Sequence, residues 1–128
     1  MVSFGFPKNE RLSRRTLWEL VFEEGKQLKA YPLLLYYLKT PLPEPVAAQA
    51  GFAVPKRAFR KAVARNRIRR LMREAYRLEK QVVFNNSFGP YAFVFLYLGK
   101  EMPDFQRISG AMKTLLKKIV THEEANEA

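Results

Sequence analysis

The sequence predicts a single-domain α+β fold, a small α/β sandwich, and three observations predict it. The chain has 128 residues, 48% of them hydrophobic, which suits one domain around one core. Helical and strand periodicities follow one another as helix, strands, helix, strand, helix. One stretch, YAFVFLYL at residues 91–98, sets Tyr91, Phe93, Phe95 and Tyr97 on one face and Ala92, Val94, Leu96 and Leu98 on the other, so both faces of its sheet are expected to be covered.

The elements follow in order. Residues 1–10 read as an N-terminal arm. Ser13 or Thr16 can cap a helix running to about Glu24; Thr16 with Glu19 has capping-box spacing, and Gly25 is a stop. Leu17, Leu20 and Val21 form one stripe of this helix, with Trp18 and Phe22 on the neighbouring face beside Arg15. YPLLLYYLK at 31–39 is rich in strand formers, TPLPEP at 40–45 is a proline loop, and GFAV at 51–54 is a second strand ended by Pro55. A helix is expected over residues 62–80, a turn at NNSFGP (85–90), and a last helix from Asp104, its candidate N-cap, with Ile108, Met112, Leu115, Leu116 and Ile119 at helical spacing. Residues 122–128, HEEANEA, read as a frayed acidic tail, with His122 an ordinary surface residue.

Charge points to the partner. The net charge is +11, and residues 56–77 hold ten basic side chains against the single acid Glu74, so +9 of it sits in this stretch. Such a balance favours a polyanion, nucleic acid before an anionic membrane. The absence of cysteine removes disulfides and thiolate chemistry and suits a reducing compartment. Without a signal-peptide core or an apolar run near the ~18 residues of a membrane span, a soluble, cytoplasmic protein is expected.

On a helical wheel Ile68, Leu71, Ala75 and Leu78 fall within roughly 40° of Ala64, with Met72 at the margin, and form the expected buried stripe. Asn66, Arg69, Arg70, Arg73 and Arg77 gather opposite, flanked by Arg65 and Arg67. Arg65, Arg69, Arg73 and Arg77 make an i,i+4 ladder of like charge, each pair costing about 0.2–0.5 kcal/mol in an isolated helix. A solvated face would tolerate this. Arginine in place of lysine, however, offers a planar fork that matches phosphate oxygens, and few acids interleave. A membrane-lying helix is the other reading, but the apolar face lacks Trp and Phe and suits the protein's own core.

Trp18, Phe22 and Tyr36 fit either a core or a platform on which unpaired bases stack. No HExxH, GxSxG or glycine-rich phosphate loop is present, and no carboxylate cluster nominates a catalytic site. A stand-alone RNA-binding module and a protein-only nuclease therefore remain as competing classes, the latter without candidate residues.

The stretch AVPKRAFRKAVARNRIRRLMREAYR, residues 53–77, resembles the signature region of the bacterial ribonuclease P protein subunit, and RLSRRTLWELVFEEG, residues 11–25, is similar to that family's first helix. The resemblance implies the order αβββαβα with a left-handed crossover at the second helix. It implies an accessory subunit of a ribonucleoprotein endonuclease that removes the 5′ leader of precursor tRNA. The chemistry would belong to the RNA subunit, with Mg2+ held by that RNA and not by a protein site, no protein catalytic residue, and no obligate protein partner. Carried over by position, Lys56, Arg57, Arg65, Asn66, Arg67, Arg69, Arg70 and Arg73 would bind the RNA subunit. Arg14, Arg15, Trp18, Phe22 and Tyr36 would line the cleft for the leader. Pro55 stands where small polar residues or alanine are common in the family, and Trp18 where phenylalanine is usual.

Overall fold

Aromatic and leucine-rich runs at Leu33–Lys39 and Tyr91–Tyr97 build two of the four strands, and amphipathic stretches build the helices. A computed structural model of the chain describes residues 5–85 and 89–127. After a 3-10 turn at Lys8–Glu10 come α1 (Arg15–Glu24), β1 (Lys26–Ala30), β2 (Leu33–Lys39), β3 (Ala48–Ala53), α2 (Ala62–Glu79), the short α3 (Gln81–Asn85), β4 (Tyr91–Tyr97) and α4 (Phe105–Glu127). Apart from α3 this is the order αβββαβα.

The sheet runs β1-β2-β4-β3. β1 and β2 are antiparallel, with Leu28 opposite Leu35, and β2 and β4 are antiparallel, with Leu35 opposite Phe95. β3 lies parallel to β4, Phe52 beside Phe95, and α2 makes the crossover between them. β4 is central and covered on both faces, as its two apolar faces predict. Tyr91, Phe93, Phe95 and Tyr97 join Ile68, Met72, Ala75 and Tyr76 of α2 and Ile108, Met112, Leu115 and Ile119 of α4 in the larger core. Ala92 and Val94 face the other way, onto Leu12 and Val21, with Leu17, Trp18 and Tyr36 packed around them.

Several expectations are corrected. α1 has no capping box: Arg14 stands at its N-cap without a side-chain hydrogen bond, Thr16 lies inside the helix, and Glu19 pairs with Arg15 at 3.1 Å. Gly25 does end α1, but in extended conformation; a Cβ there would strike the Val21 carbonyl. Tyr31 and Pro32 belong not to a strand but to the turn between β1 and β2, joined by a cis peptide bond. β1 itself, KQLKA, escaped the periodicity because Leu28 is its one buried residue. β3 starts three residues earlier than GFAV, on Ala48, Gln49 and Ala50. The turn cluster at 85–90 lies in part outside the described residues.

α2 is rotated relative to the expected stripe. Ile68, Met72, Ala75 and Tyr76 are buried, whereas Leu78 is 41% exposed. The bulk of Tyr76 governs the rotation: its ring meets Phe6, Phe52, Phe93 and Phe95, with centroids 5.7–6.4 Å away. Complete burial, and then the Glu10 carboxylate, push its hydroxyl far above the ordinary tyrosine range. Asp104 caps α4 as expected, its Oδ1 accepting the Arg107 N–H at 2.8 Å. Residues 122–127 continue α4 as helix, and Glu123 is buried with Lys39 Nζ 3.8 Å from its carboxylate. Burial, and then that carboxylate, raise the Tyr37 hydroxyl.

The described part of the arm before α1, from Gly5 onward, is fastened at several points. Lys80, 1% exposed at the end of α2, donates to Glu10 Oε1 at 2.6 Å and to the Gly5 carbonyl, with the Phe84 ring 5.2 Å away. Further along, Gln49 Nε2 donates to the Asn9 carbonyl at 2.9 Å and the Leu12 N–H to the Ala50 carbonyl at 3.0 Å, so the arm runs beside β3. Among the described residues no helix is long and apolar enough to cross a membrane.

Candidate RNA interface

The first half of the site is the loop and helix after β3. Pro55 gives its carbonyl to the N–H groups of Ala58 and Phe59 at 3.3 Å, a turn that leaves Lys56 and Arg57 exposed just ahead of α2. Arg65 is half-buried, and its Nη1 donates to the carbonyls of Phe59 and Arg60, both at 2.8 Å. It therefore staples this loop to the helix, a structural duty that spacing alone did not disclose. Asn66 accepts a hydrogen bond from Arg69, which orients that guanidinium along the helix surface. Glu74 is paired with Arg77, whose hydrogen bond holds the carboxyl below its usual range. Arg67, Arg70 and Arg73 are exposed and form no ion pair among the described residues.

The second half lies across the sheet. Trp18, Phe22 and Tyr36 form a strip along α1 and β2, with ring centroids 6.2 Å apart for Trp18 and Phe22 and 4.8 Å, edge to face, for Phe22 and Tyr36. Trp18 is anchored by its Nε1, which donates to the Leu12 carbonyl at 2.7 Å. Phe22 is 44% exposed, Tyr36 half-buried, and Arg14 and Arg15 stand exposed at the start of the helix.

The rotation of α2 brings the halves together. Arg69 and Arg73 share a cavity of about 140 Å³ with Arg11, Trp18, Gly51 and Phe52, so the arginine face and the aromatic strip meet over β3. Arg67 and Arg70, further round the helix, do not reach it. Arg11 and Gly51 line the same cavity, and sequence reasoning missed them. Gly51 did carry a signal, since glycine inside a strand marks a close approach. A Cβ on it would fall inside contact distance of Trp18 Cζ2 and 2.8 Å from Cη2. Gly51→Ala is expected to displace the indole and cost about 1–3 kcal/mol by overpacking. A urea titration followed by the emission of the single tryptophan reads both effects; an unchanged midpoint and spectrum would refute it.

Among the described residues no three Asp, Glu or His side chains converge as a metal site would require. Glu10, Glu19, Glu74, Glu79 and Glu123 each face a lysine or arginine instead.

Comparison with known proteins gives the family and the fold. The sequence profile of one family, Ribonuclease P, matches residues 6–120. The ribonuclease P protein component of Porphyromonas gingivalis is 38% identical over 120 residues, covering 91% of this chain and 88% of its own length. That of Chlorobium phaeobacteroides is 36% identical, covering 88% and 86%. The RNase P protein from Thermotoga maritima superposes with a TM-score of 0.69 at 27% identity, over 85% of this chain and 96% of that one. The RNase P protein of Staphylococcus aureus shares the fold, with a TM-score of 0.71 at 18% identity over 88% and 96%. A profile match across most of the chain, close relatives along nearly its full length and a common fold agree: the chain belongs to the ribonuclease P protein family.

Proposed function

We propose that the chain is the protein subunit of a ribonucleoprotein ribonuclease P and assists its RNA subunit in removing the 5′ leader from precursor tRNA. The observation that carries this reading is the junction of an arginine face and an aromatic strip in one cavity, at Trp18, Arg69 and Arg73. Arg67, Arg69, Arg70 and Arg73, with Asn66 on the same helix and Lys56 and Arg57 in the loop ahead of it, offer forked and point donors to the phosphates of a folded RNA. Arg65 contributes by holding the loop that presents Lys56 and Arg57. The strip of Trp18, Phe22 and Tyr36 suits a single strand, because every base has a face that stacks on an aromatic ring, and Arg14 and Arg15 lie beside it for the backbone.

The protein supplies charge screening and position. Bringing leader and RNA subunit together crowds phosphates, and a +11 chain between them lowers that repulsion. Magnesium held by the RNA subunit would supply the activation of water at the scissile phosphate. The cytoplasm is the compartment in which such a particle would meet its substrate.

Leader cleavage of a labelled precursor tRNA at low magnesium, with the protein alone, a bacterial ribonuclease P RNA alone and both together, tests the reading. Cleavage only in the mixture is expected, with the RNA shown active by itself at high magnesium. Cleavage by the protein alone, or no gain on mixing, would overturn it. Phe22→Ala is expected to raise the KM of the assembled enzyme roughly 5- to 150-fold, the equivalent of one stacked base at about 1–3 kcal/mol, without weakening assembly. A KM unchanged by this substitution would remove the leader from the strip.

A further inference from the structure

Two of the five large apolar side chains that the described residues expose, Tyr31 (57%) and Met102 (40%), line one cavity, and it belongs to neither half of the interface above. The cavity, of about 300 Å³, opens between the β1–β2 turn, the end of β4 and the first turn of α4, and Pro32, Tyr97, Lys100 and Arg107 complete it. That is the lower end of the roughly 300–1,000 Å³ typical of ligand pockets.

Its walls are set by ordered contacts. The Asp104 cap holds the first turn of α4, which carries Arg107, and the Arg107 guanidinium lies over the Tyr31 ring, 5.6 Å from its centroid. Tyr97, nearly buried, forms the floor and donates its hydroxyl to the Glu101 carbonyl at 2.6 Å, which ties down the loop bearing Lys100 and Met102. Gly99 permits this, because a Cβ there would collide with the Tyr97 hydroxyl.

Tyr97, Gly99 and Lys100 also line a second cavity, of about 520 Å³, whose other wall is Pro55, Arg57 and Ala58. One continuous surface therefore leads from the loop before α2, past Lys100, to the ring of Tyr31. Three exposed cations, Arg57, Lys100 and Arg107, mark it, with the exposed Glu101 as the acid that lines it. An aromatic ring beside spaced cations suits a base and its flanking phosphates, whereas an acidic peptide would have no use for the ring.

We propose that this surface is a separate contact for the RNA subunit, in which an unpaired base stacks on Tyr31 and its neighbouring phosphates meet Lys100 and Arg107. This rests on the reading of the chain as a ribonuclease P protein. The RNA subunit is the occupant because the surface continues the one that carries Lys56 and Arg57, while the leader strip lies on the opposite face of the sheet.

Binding of a bacterial ribonuclease P RNA, measured over a range of salt for the wild type, Tyr31→Ala, Tyr31→Phe and the pair Lys100→Ala/Arg107→Ala, tests it, with thermal unfolding as the control for folding. Tyr31→Ala is expected to raise Kd roughly 5- to 150-fold and Tyr31→Phe to stay near wild type, because the ring does the stacking. The pair should flatten the slope of log K against log salt by about 0.7–0.9 for each charge. Wild-type affinity in Tyr31→Ala and in the pair, while Arg73→Ala weakens binding, would overturn the inference alone. No binding by the wild type would overturn the underlying reading instead. A defect seen only in precursor tRNA binding by the preassembled enzyme would overturn the choice of occupant.

Discussion

Glu10→Ala is expected to lower folding stability by about 3–5 kcal/mol, the cost of leaving a buried charge without its partner. Lys80 is 1% exposed, and its ammonium has Glu10 at 2.6 Å and the Gly5 carbonyl as acceptors. Without the carboxylate it must either stay desolvated beside a single carbonyl or pull the end of α2 open. For a domain with about 5–15 kcal/mol in hand, that loss is a large share. In urea, at an m value of about 1–3 kcal/mol/M, the midpoint should fall by roughly 2 M. Glu10→Leu with Lys80→Met should recover most of the loss, because replacing both members of a buried pair by apolar groups is often neutral. A single mutant within about 1 kcal/mol of wild type would mean that the pair is better hydrated than its exposure implies.

Arg67→Ala/Arg70→Ala/Arg73→Ala should do the reverse, abolishing function while sparing the fold. All three side chains are exposed, so stability is expected to stay within about 0.5 kcal/mol of wild type. Relief of like-charge neighbours at i,i+3 and i,i+4 even pushes it upward, by about 0.2–0.5 kcal/mol per pair. Each charged hydrogen bond to RNA is worth about 1.5–3 kcal/mol, so the triple variant should bind the RNA subunit at least on the order of 100-fold more weakly. Its salt slope should flatten by about two units, at roughly 0.7–0.9 per phosphate contact. Parallel losses of melting temperature and affinity would show that these arginines hold the protein together and not the RNA.

How much of this was legible depended on whether local pattern or distant packing set each feature. The strands around Tyr36 and Phe93 and the cap at Asp104 are local, and the sequence showed them. The stripe of α2 was misjudged because Tyr76 counts for little on a wheel of aliphatic residues, yet it fills the space between Phe6, Phe52 and Phe95. That rotation in turn brings Arg69 and Arg73 to Trp18, a meeting of residues about 50 positions apart that no spacing rule reaches. The duty of Arg65 was hidden for the same reason, since its acceptors are backbone carbonyls of a loop whose path only the fold defines. β1 was illegible because an outer strand with one inward leucine has almost no alternation to read.

That weak signal in β1 reflects a property of the whole sheet. A four-stranded sheet has two outer strands, and each offers unpaired backbone groups on which another chain could extend it. Here β1 presents Lys26 and Lys29, and Lys118 of α4 donates to the Lys29 carbonyl at 2.9 Å. At the other border the arm lies against β3 and takes up the Ala50 carbonyl. Lysine on one border and the chain's own N-terminal segment on the other guard the sheet against edge-to-edge aggregation, so the protein carries its own protection for the interval before it meets its RNA.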